Sequence, residues 1–306
     1  MSNKFNLECE VCGVKFKNPL IAASGTCGFG EEFKNFYPLS TWGGLSLKGT
    51  TKFPRQGNRN PRIAETPMGM LNSVGLQNPG IDVLINEALP RLQNENTTLI
   101  ANIAGDTIED MMYSCEKLQN TNVDMIELNI SCPNVKQGGL AFGVYPKSVA
   151  EVTGRVKSVC TKKPLIIKLS PNVADIAENA VAAESSGADA ISLINTVGAM
   201  AVDPVTRRPI LANVIGGLSG PAVKPIALKM VYQVSKAVKI PIIGMGGIAN
   251  GRDVIEFLLC GASAVMVGTA NISDPIAVVN ILEEIEEFMA EQNVSDINEF
   301  VDGLII

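Results

Sequence analysis

The chain has 306 residues, 46% of them hydrophobic but only 5% aromatic, with 28 glycines and a net charge of −6; this suits a single α/β barrel with an aliphatic core and gives no basic footprint for nucleic acid. It contains no histidine, which excludes a His general base, a Ser-His-Asp triad and a His-ligated metal. No apolar run approaches the ~18 residues that cross a bilayer, and the opening MSNKFNLECEVCG lacks the apolar stretch of a signal peptide, so a soluble cytoplasmic protein is expected.

Residues 4–17 read as a hairpin ahead of the main fold. Cys9 and Cys12 form a lone C-x-x-C there, without the second pair or histidine of a structural zinc site, and read as ordinary strand residues. The cysteines number seven, an odd count without an export signal, so disulfides are not expected to organise the chain. No resident metal is expected.

Apolar runs then alternate with segments of helical period. The predicted strands are PLIAAS from Pro19, GGLSLK ending at Lys48, TLIANI ending at Ile103 and MIELNIS ending at Ser131. They continue with PLIIKL from Pro164, AISLIN from Ala190, IPIIGM from Ile240 and AVMVGT from Ala264. Runs that are apolar throughout suit parallel strands buried on both faces. Between them, DTIEDMMYSCEKLQ opens with Asp106 as a candidate N-cap, and SVAEVTGRVKSV from Ser148 offers a Ser-x-x-Glu capping box. ADIAENAVAAESSG reaches Gly187 as a C′ glycine, and NGRDVIEFLLCG and DPIAVVNILEEIEEFMAEQ complete the helices. Eight such strands with intervening helices predict a (β/α)8 barrel. Residues 1–306 read as one domain, with long loops at 50–80, 133–146 and 198–220 after strands two, four and six. Loops of that length are uncommon unless functional.

A barrel of this kind carries its chemistry at the C-terminal ends of its strands. Those ends present Ser24, Lys48, Asn102, Asn129 through Cys132, Lys168, Asn195 with Thr196, Gly246 with Gly247, and Gly268 with Thr269. Amides, lysines and a thiol therefore converge on one rim. Gly-Gly and Gly-Thr after the last two strands, with NGRDV opening a helix nearby, resemble a barrel phosphate site, where glycine backbone N–H groups and a helix N-terminus meet the anion. Lys168 is open to three readings: a Schiff-base nucleophile, a charge beside a flavin ring, or a structural ion pair. Lys48 raises the same choice. Cys132 stands before Pro133 at the start of a loop containing Gly138, Gly139 and Gly143, a segment able to act as a lid. With no histidine present, its thiol is the natural candidate base.

The motifs NPLIAASGTCGFG, SLKGTT, GMLNSVGLQNPG, LNISCPNV, IIKLSPN, INTVGAM, GGLSGPAVKP, IPIIGMGGI and AVMVGTA together resemble the dihydroorotate dehydrogenases, from about Asn18 to Ile272. The resemblance implies an FMN-binding (β/α)8 barrel that oxidises dihydroorotate to orotate in pyrimidine (UMP) biosynthesis. It implies FMN contacts at Ser24, Lys48, Gly49, Asn102, Asn129, Lys168, Ile194, Gly220, Gly246, Gly247, Gly268 and Thr269. Orotate contacts are implied at Lys48, Asn72, Ser73, Val74, Gly75, Leu76, Asn129, Asn195 and Thr196. Cys132 takes the place of the base used by the soluble branch, where the membrane-bound branch has Ser. It would remove the C5 proton while C6 delivers hydride to flavin N5, with Lys168 balancing charge near N1 of the reduced ring. Asn side chains suit the amide-rich edges of the substrate, and Lys48 with the 72–76 backbone suits its carboxylate.

The hairpin begins almost at once, which disfavours the membrane-associated branch with its N-terminal helical extension. SCPNVKQGGLAFG is most similar to the NAD-linked soluble type. The chain has no Cys cluster for an iron–sulfur centre and no strand-flanked G-x-G-x-x-G, so FAD and a 2Fe-2S cluster are expected on a partner subunit. A homodimer of this chain with that subunit, forming a heterotetramer, is the implied assembly. The alternatives are a fumarate-using soluble dihydroorotate dehydrogenase, a dihydropyrimidine dehydrogenase (disfavoured by length), a non-catalytic phosphate-ligand barrel, and a Schiff-base lyase using Lys168 or Lys48.

Overall fold

A computed structural model describes residues 5–131 and 142–306. Eight parallel strands close into a barrel: β1 Leu20–Ala22, β2 Gly44–Ser46, β3 Thr98–Ile103, β4 Met125–Asn129, β5 Leu165–Lys168, β6 Ala190–Leu193, β7 Ile242–Met245 and β8 Ala264–Val267. Each pairs with its neighbour in sequence, and β8 returns to β1 with Val265 opposite Leu20 and Val267 opposite Ala22. All eight predicted strands are present, each trimmed by a residue or more except β3.

Strand alternation divides the core in two. Leu20, Leu45, Leu99, Ile126, Leu128, Ile167, Ile191 and Val265 face outward into a large cluster shared with the surrounding helices. Ile21, Ile100, Met125, Ile166, Ala190, Ile243, Ala264 and Met266 face inward, as the period of two requires. The predicted hairpin forms from Cys9–Val11 and Val14–Phe16. Cys9, Val11 and Phe16 join the inward cluster and close the N-terminal end of the barrel. Cys12 lies in the turn rather than a strand, at φ 55°, and its thiol donates to the Asp189 carbonyl at 3.0 Å.

The helices follow the sequence with three corrections at their starts. Thr107, not Asp106, caps Ile108–Leu118, its side chain accepting from the Asp110 amide. No capping box forms at Ser148: the helix begins at Pro146, whose fixed φ suits the first helical position, and the Ser148 hydroxyl donates to the Tyr145 carbonyl. The helix expected from Asp274 begins at Ala277 and runs to Gln292, and a short helix Thr269–Ser273 precedes it, the two separated where Asp274 leaves the helical region at φ −140°. Ile176–Ser185 runs to Gly187 at φ +95°, the left-handed C′ position anticipated for that glycine. Lys224–Ser235, and a helical run over 81–92 wound as a π-helix at Leu84–Ala88, add crossovers that the sequence pattern did not single out.

The long connections differ more from expectation. Segments of 50–80 and 198–220 build an antiparallel sheet in the order Val197–Met200, Ile215–Ser219, Gly69–Asn72, Ile63–Thr66. Gly217 stands opposite Asn72 and Leu218 opposite Leu71, which ties the loops after β2 and β6 together. Among the described residues no helix is long and apolar enough to cross a membrane.

Candidate active site

The mouth of the barrel is built by the residues just beyond, and the last inward positions of, each strand. Along one side, the Ser24 hydroxyl donates to the Leu47 carbonyl at 2.7 Å, and the Lys48 amide donates to the Gly28 carbonyl at 3.0 Å. A Cβ on Gly49 would meet Asn102 Oδ1 at 2.9 Å and Ser24 Oγ at 3.7 Å, so Ser24, Gly49 and Asn102 share one small space. Asn129 and Lys168 face each other across β4 and β5.

The opposite side is a chain of polar contacts. The Ser131 hydroxyl donates to Asn129 Oδ1 at 2.7 Å, and the Asn195 amide donates to Ser131 Oγ. The Thr196 amide donates to Asn195 Oδ1 at 2.8 Å. A Cβ on Gly217 would fall 1.9 Å from Thr196 Oγ1, and Asn72 Nδ2 donates to the Gly217 carbonyl at 3.4 Å. Asn129, Asn195, Thr196 and Asn72 are thereby brought into one arc.

Segment 73–76 completes that arc. Asn58 holds it, donating from its side chain to the Ser73 carbonyl at 2.9 Å and from its backbone to the Val74 carbonyl at 3.0 Å. Gly75 has φ +76° and a Cβ there would strike Asn58 at 2.7 Å, which explains the glycine. The amides of Val74, Gly75 and Leu76 have no acceptor among the described residues. Leu76 reaches the Gly49 position at 3.7 Å. Beside it Lys48 is mostly buried, with no carboxylate paired to its ammonium among the described residues; burial pulls its pKa below the ordinary 10.5, with a nearby Cys27 opposing. A cavity of about 450 Å³, whose lining includes Lys48, Arg55, Gln77 and Asn78, opens at this point. A buried cation beside free backbone amides is a site for a small carboxylate.

The glycines after β7 and β8 gather on the remaining side. A Cβ on Gly247 (φ +84°) would stand 2.9 Å from the Gly220 carbonyl, and one on Gly220 (φ +97°) would stand 3.4 Å from the Thr269 methyl. Thr269 Oγ1 donates to Ser219 Oγ at 2.8 Å. A Cβ on Gly246 would meet Ile194 at 3.1 Å, and Gly268 packs near Ala23. The amides of Gly247, Gly268 and Thr269 have no acceptor among the described residues, as a phosphate cradle requires. The NGRDV helix has fewer free donors at its start than the sequence implies. Two of its first donors are taken within the protein, the Asp253 amide by Asn250 and the Gly251 amide by Glu284 of the helix Ala277–Gln292.

FMN is a phosphorylated planar ring with donors and acceptors along its edge, and the donor set fits it. The three free amides suit the phosphate, the side-chain-free position at Gly49 leaves room for a ring edge, and Asn102 Oδ1 is buried with no partner, an acceptor awaiting a donor. Lys168 is 5% exposed and 3.9 Å from Glu127, so its ammonium lies under the mouth. Cys132, Gly138 and Gly139 lie outside the described residues; Gly143 packs on the Ile130 carbonyl, and Asn179 donates to its carbonyl at 3.0 Å.

One group escaped the sequence reading. Glu127, fully buried, accepts from Ser46, Asn102 and Ser192. Its signal was parity: it sits two residues before Asn129 on β4 and therefore points inward with it. Among the described residues no three metal-ligating side chains gather.

A family model described as dihydroorotate dehydrogenase matches residues 6–289. Similar proteins over nearly the whole length include those of Thermoanaerobacter pseudethanolicus (52% identical over 299 residues), Alkaliphilus oremlandii (54% over 299) and Bacteroides fragilis (50% over 300). In each case the match covers 98% of this chain and 99% of the relative, and each relative is named dihydroorotate dehydrogenase B (NAD(+)), catalytic subunit.

Proposed function

The chain belongs to the dihydroorotate dehydrogenase family, and on that premise we propose that it is the FMN-dependent catalytic subunit oxidising dihydroorotate to orotate, in the cytoplasm and in pyrimidine biosynthesis. The observation that carries the reading is the pairing of two unsatisfied sites at one mouth. One is a carboxylate site at Lys48 and the amides of Val74, Gly75 and Leu76; the other is a phosphate cradle at Gly247, Gly268 and Thr269.

Bound FMN supplies the acceptor for two electrons and one hydrogen from C6 of the substrate. The chain's own residues do the rest. Lys48 and the 74–76 amides hold the substrate carboxylate, while Asn72, Asn129, Asn195 and Thr196 engage the amide edges of its ring. The Asn129–Ser131–Asn195 chain fixes which way those amides face, and that orientation decides which edge of the ring is read. Cys132 removes the proton from C5; loss of that proton and of the C6 hydrogen with its electron pair creates the C5–C6 double bond of orotate. Lys168 would hold a positive charge close to the group that takes up the electrons. Ser24, Gly49, Asn102, Ile194, Gly220 and Gly246 complete the cofactor's walls.

The relatives' names carry both NAD(+) and the word subunit, which favours NAD over fumarate as the final acceptor. The partner would hold FAD and a 2Fe-2S cluster, in a heterotetramer with two copies of this chain. The test is an absorbance spectrum of the purified chain during anaerobic addition of dihydroorotate. A flavin band that bleaches supports the reading; a flavin band indifferent to dihydroorotate, or a chain that takes up no FMN, removes it.

A further inference from the structure

Glu127 lies inside the barrel, 0% exposed, and four other barrel strands each send it one polar side chain. Its Oε2 accepts from Ser46 Oγ of β2 at 2.9 Å and from Asn102 Nδ2 of β3 at 2.5 Å; its Oε1 accepts from Ser192 Oγ of β6 at 2.7 Å. Lys168 of β5 brings its ammonium to 3.9 Å from Oε2. A carboxylate only accepts, and here Ser46, Asn102 and Ser192 donate while Lys168 supplies a nearby positive charge. As a purely structural device such a group is poorly motivated, because apolar side chains of similar volume fill a core at least as stably.

Two of its contacts point toward the mouth. Glu127 occupies the Asn102 amide nitrogen, which turns Asn102 Oδ1 toward the space at Gly49, where it is buried and without a partner. It also stands beside Lys168 at a distance too long for a direct hydrogen bond. The ammonium's donors thus stay available to the mouth while the carboxylate offsets part of its charge.

We propose that Glu127 is a positioning residue of the flavin site: its carboxylate sets the orientation of the Asn102 amide and counterbalances Lys168, and so lowers the reduction potential of the FMN held above them. This rests on the flavin reading above. Positive charge beneath the ring favours the electron-rich reduced form, and the carboxylate opposes it.

The experiment is a spectroscopic midpoint-potential measurement on FMN-loaded protein, with a reference dye and a chemical reductant, for the wild type, Glu127→Gln, Lys168→Met and the double variant. Glu127→Gln is expected to raise the potential, shifting the reduction equilibrium about tenfold or more, about 30 mV for a two-electron couple. In the Lys168→Met background the same change is expected to shift it far less, because the partner is gone. An unchanged or lowered potential in Glu127→Gln, or an equal rise with and without Lys168, overturns the proposal. If Glu127→Gln fails to fold or to hold FMN, recovery in the double variant supports the pairing and no recovery overturns it. Dihydroorotate is not needed for any of these readings. A wild type that is reduced chemically but not by dihydroorotate would therefore remove the proposed activity and leave this inference standing, whereas a wild type that takes up no FMN would remove both.

Discussion

A Cβ built on Gly49 would stand 2.9 Å from Oδ1 of Asn102, closer than such contacts allow. The Asn102 side chain is held from behind by Glu127 at 2.5 Å and has little freedom to retreat. Gly49→Ala is therefore expected to overpack the cofactor wall by about 1–3 kcal/mol, roughly tenfold or more in FMN affinity. Flavin fluorescence titration of the apoprotein checks this; affinity equal to wild type would show that the space belongs to something else.

Cys132→Ala is expected to slow turnover by about 10²–10⁴-fold, the usual contribution of a positioned base. FMN content should stay at the wild-type level. Stopped-flow bleaching of the flavin by dihydroorotate separates the two quantities, and near-normal bleaching would exclude the thiol as the base.

Burial holds the Lys48 ammonium below its ordinary pKa of 10.5. Between the folded and unfolded values the unfolded chain binds more protons, so this group's burial penalty eases and its contribution to stability rises with pH. Ligand binding runs the other way on the proposed reading, in which the substrate carboxylate needs the charged form. Orotate affinity, read from its perturbation of the flavin spectrum, is expected to weaken as pH rises through a midpoint below 10.5. Lys48→Gln should bind orotate weakly and without that pH dependence; an identical slope in the variant would assign the titration to another group.

Ser131→Ala removes the link between Asn129 and Asn195 and leaves two amides without their partner. A loss of about 1–3 kcal/mol is expected, mostly as a raised KM for dihydroorotate, because on the proposed reading both amides meet the substrate. Steady-state kinetics that show a fall in kcat alone would place the chain of contacts in the chemical step instead.

Phe16 is fully buried where the hairpin closes the barrel, and a Cβ on Gly44 would meet its ring at 2.8 Å. Phe16→Ala should cost about 3–5 kcal/mol, visible as a lower urea midpoint. If the plug is only an ornament on an independently stable barrel, the midpoint will not move.

The barrel was legible because its strands are continuous aliphatic runs, and the polar rim at its mouth was legible because Lys48, Asn102, Asn129 and Lys168 each interrupt or end one of them. The sheet joining Gly69–Asn72 to Ile215–Ser219 was not. Its strands are short and glycine-rich, and they are held by a partner more than a hundred residues away, so local pattern carried little of it. Glu127 was hidden for a different reason: inside MIELNIS a single charge reads as noise until the inward parity of Asn129 is applied to it. The NGRDV helix misled because an N-terminus looks open in sequence, whereas Glu284 on a distant helix takes one of its donors.

The hairpin that seals the lower end leaves the barrel, among the described residues, a vessel that opens at its upper rim. Among the described residues, Lys168 is nearly buried below the rim that carries Asn72 and Asn195. On the proposed reading, a flavin held near Lys168 would lie deeper than a substrate held at that rim, and loading would be ordered: the deeper molecule enters first and departs last. Saturating orotate should then slow the exchange of bound FMN without touching it chemically, as a cork slows the emptying of a flask.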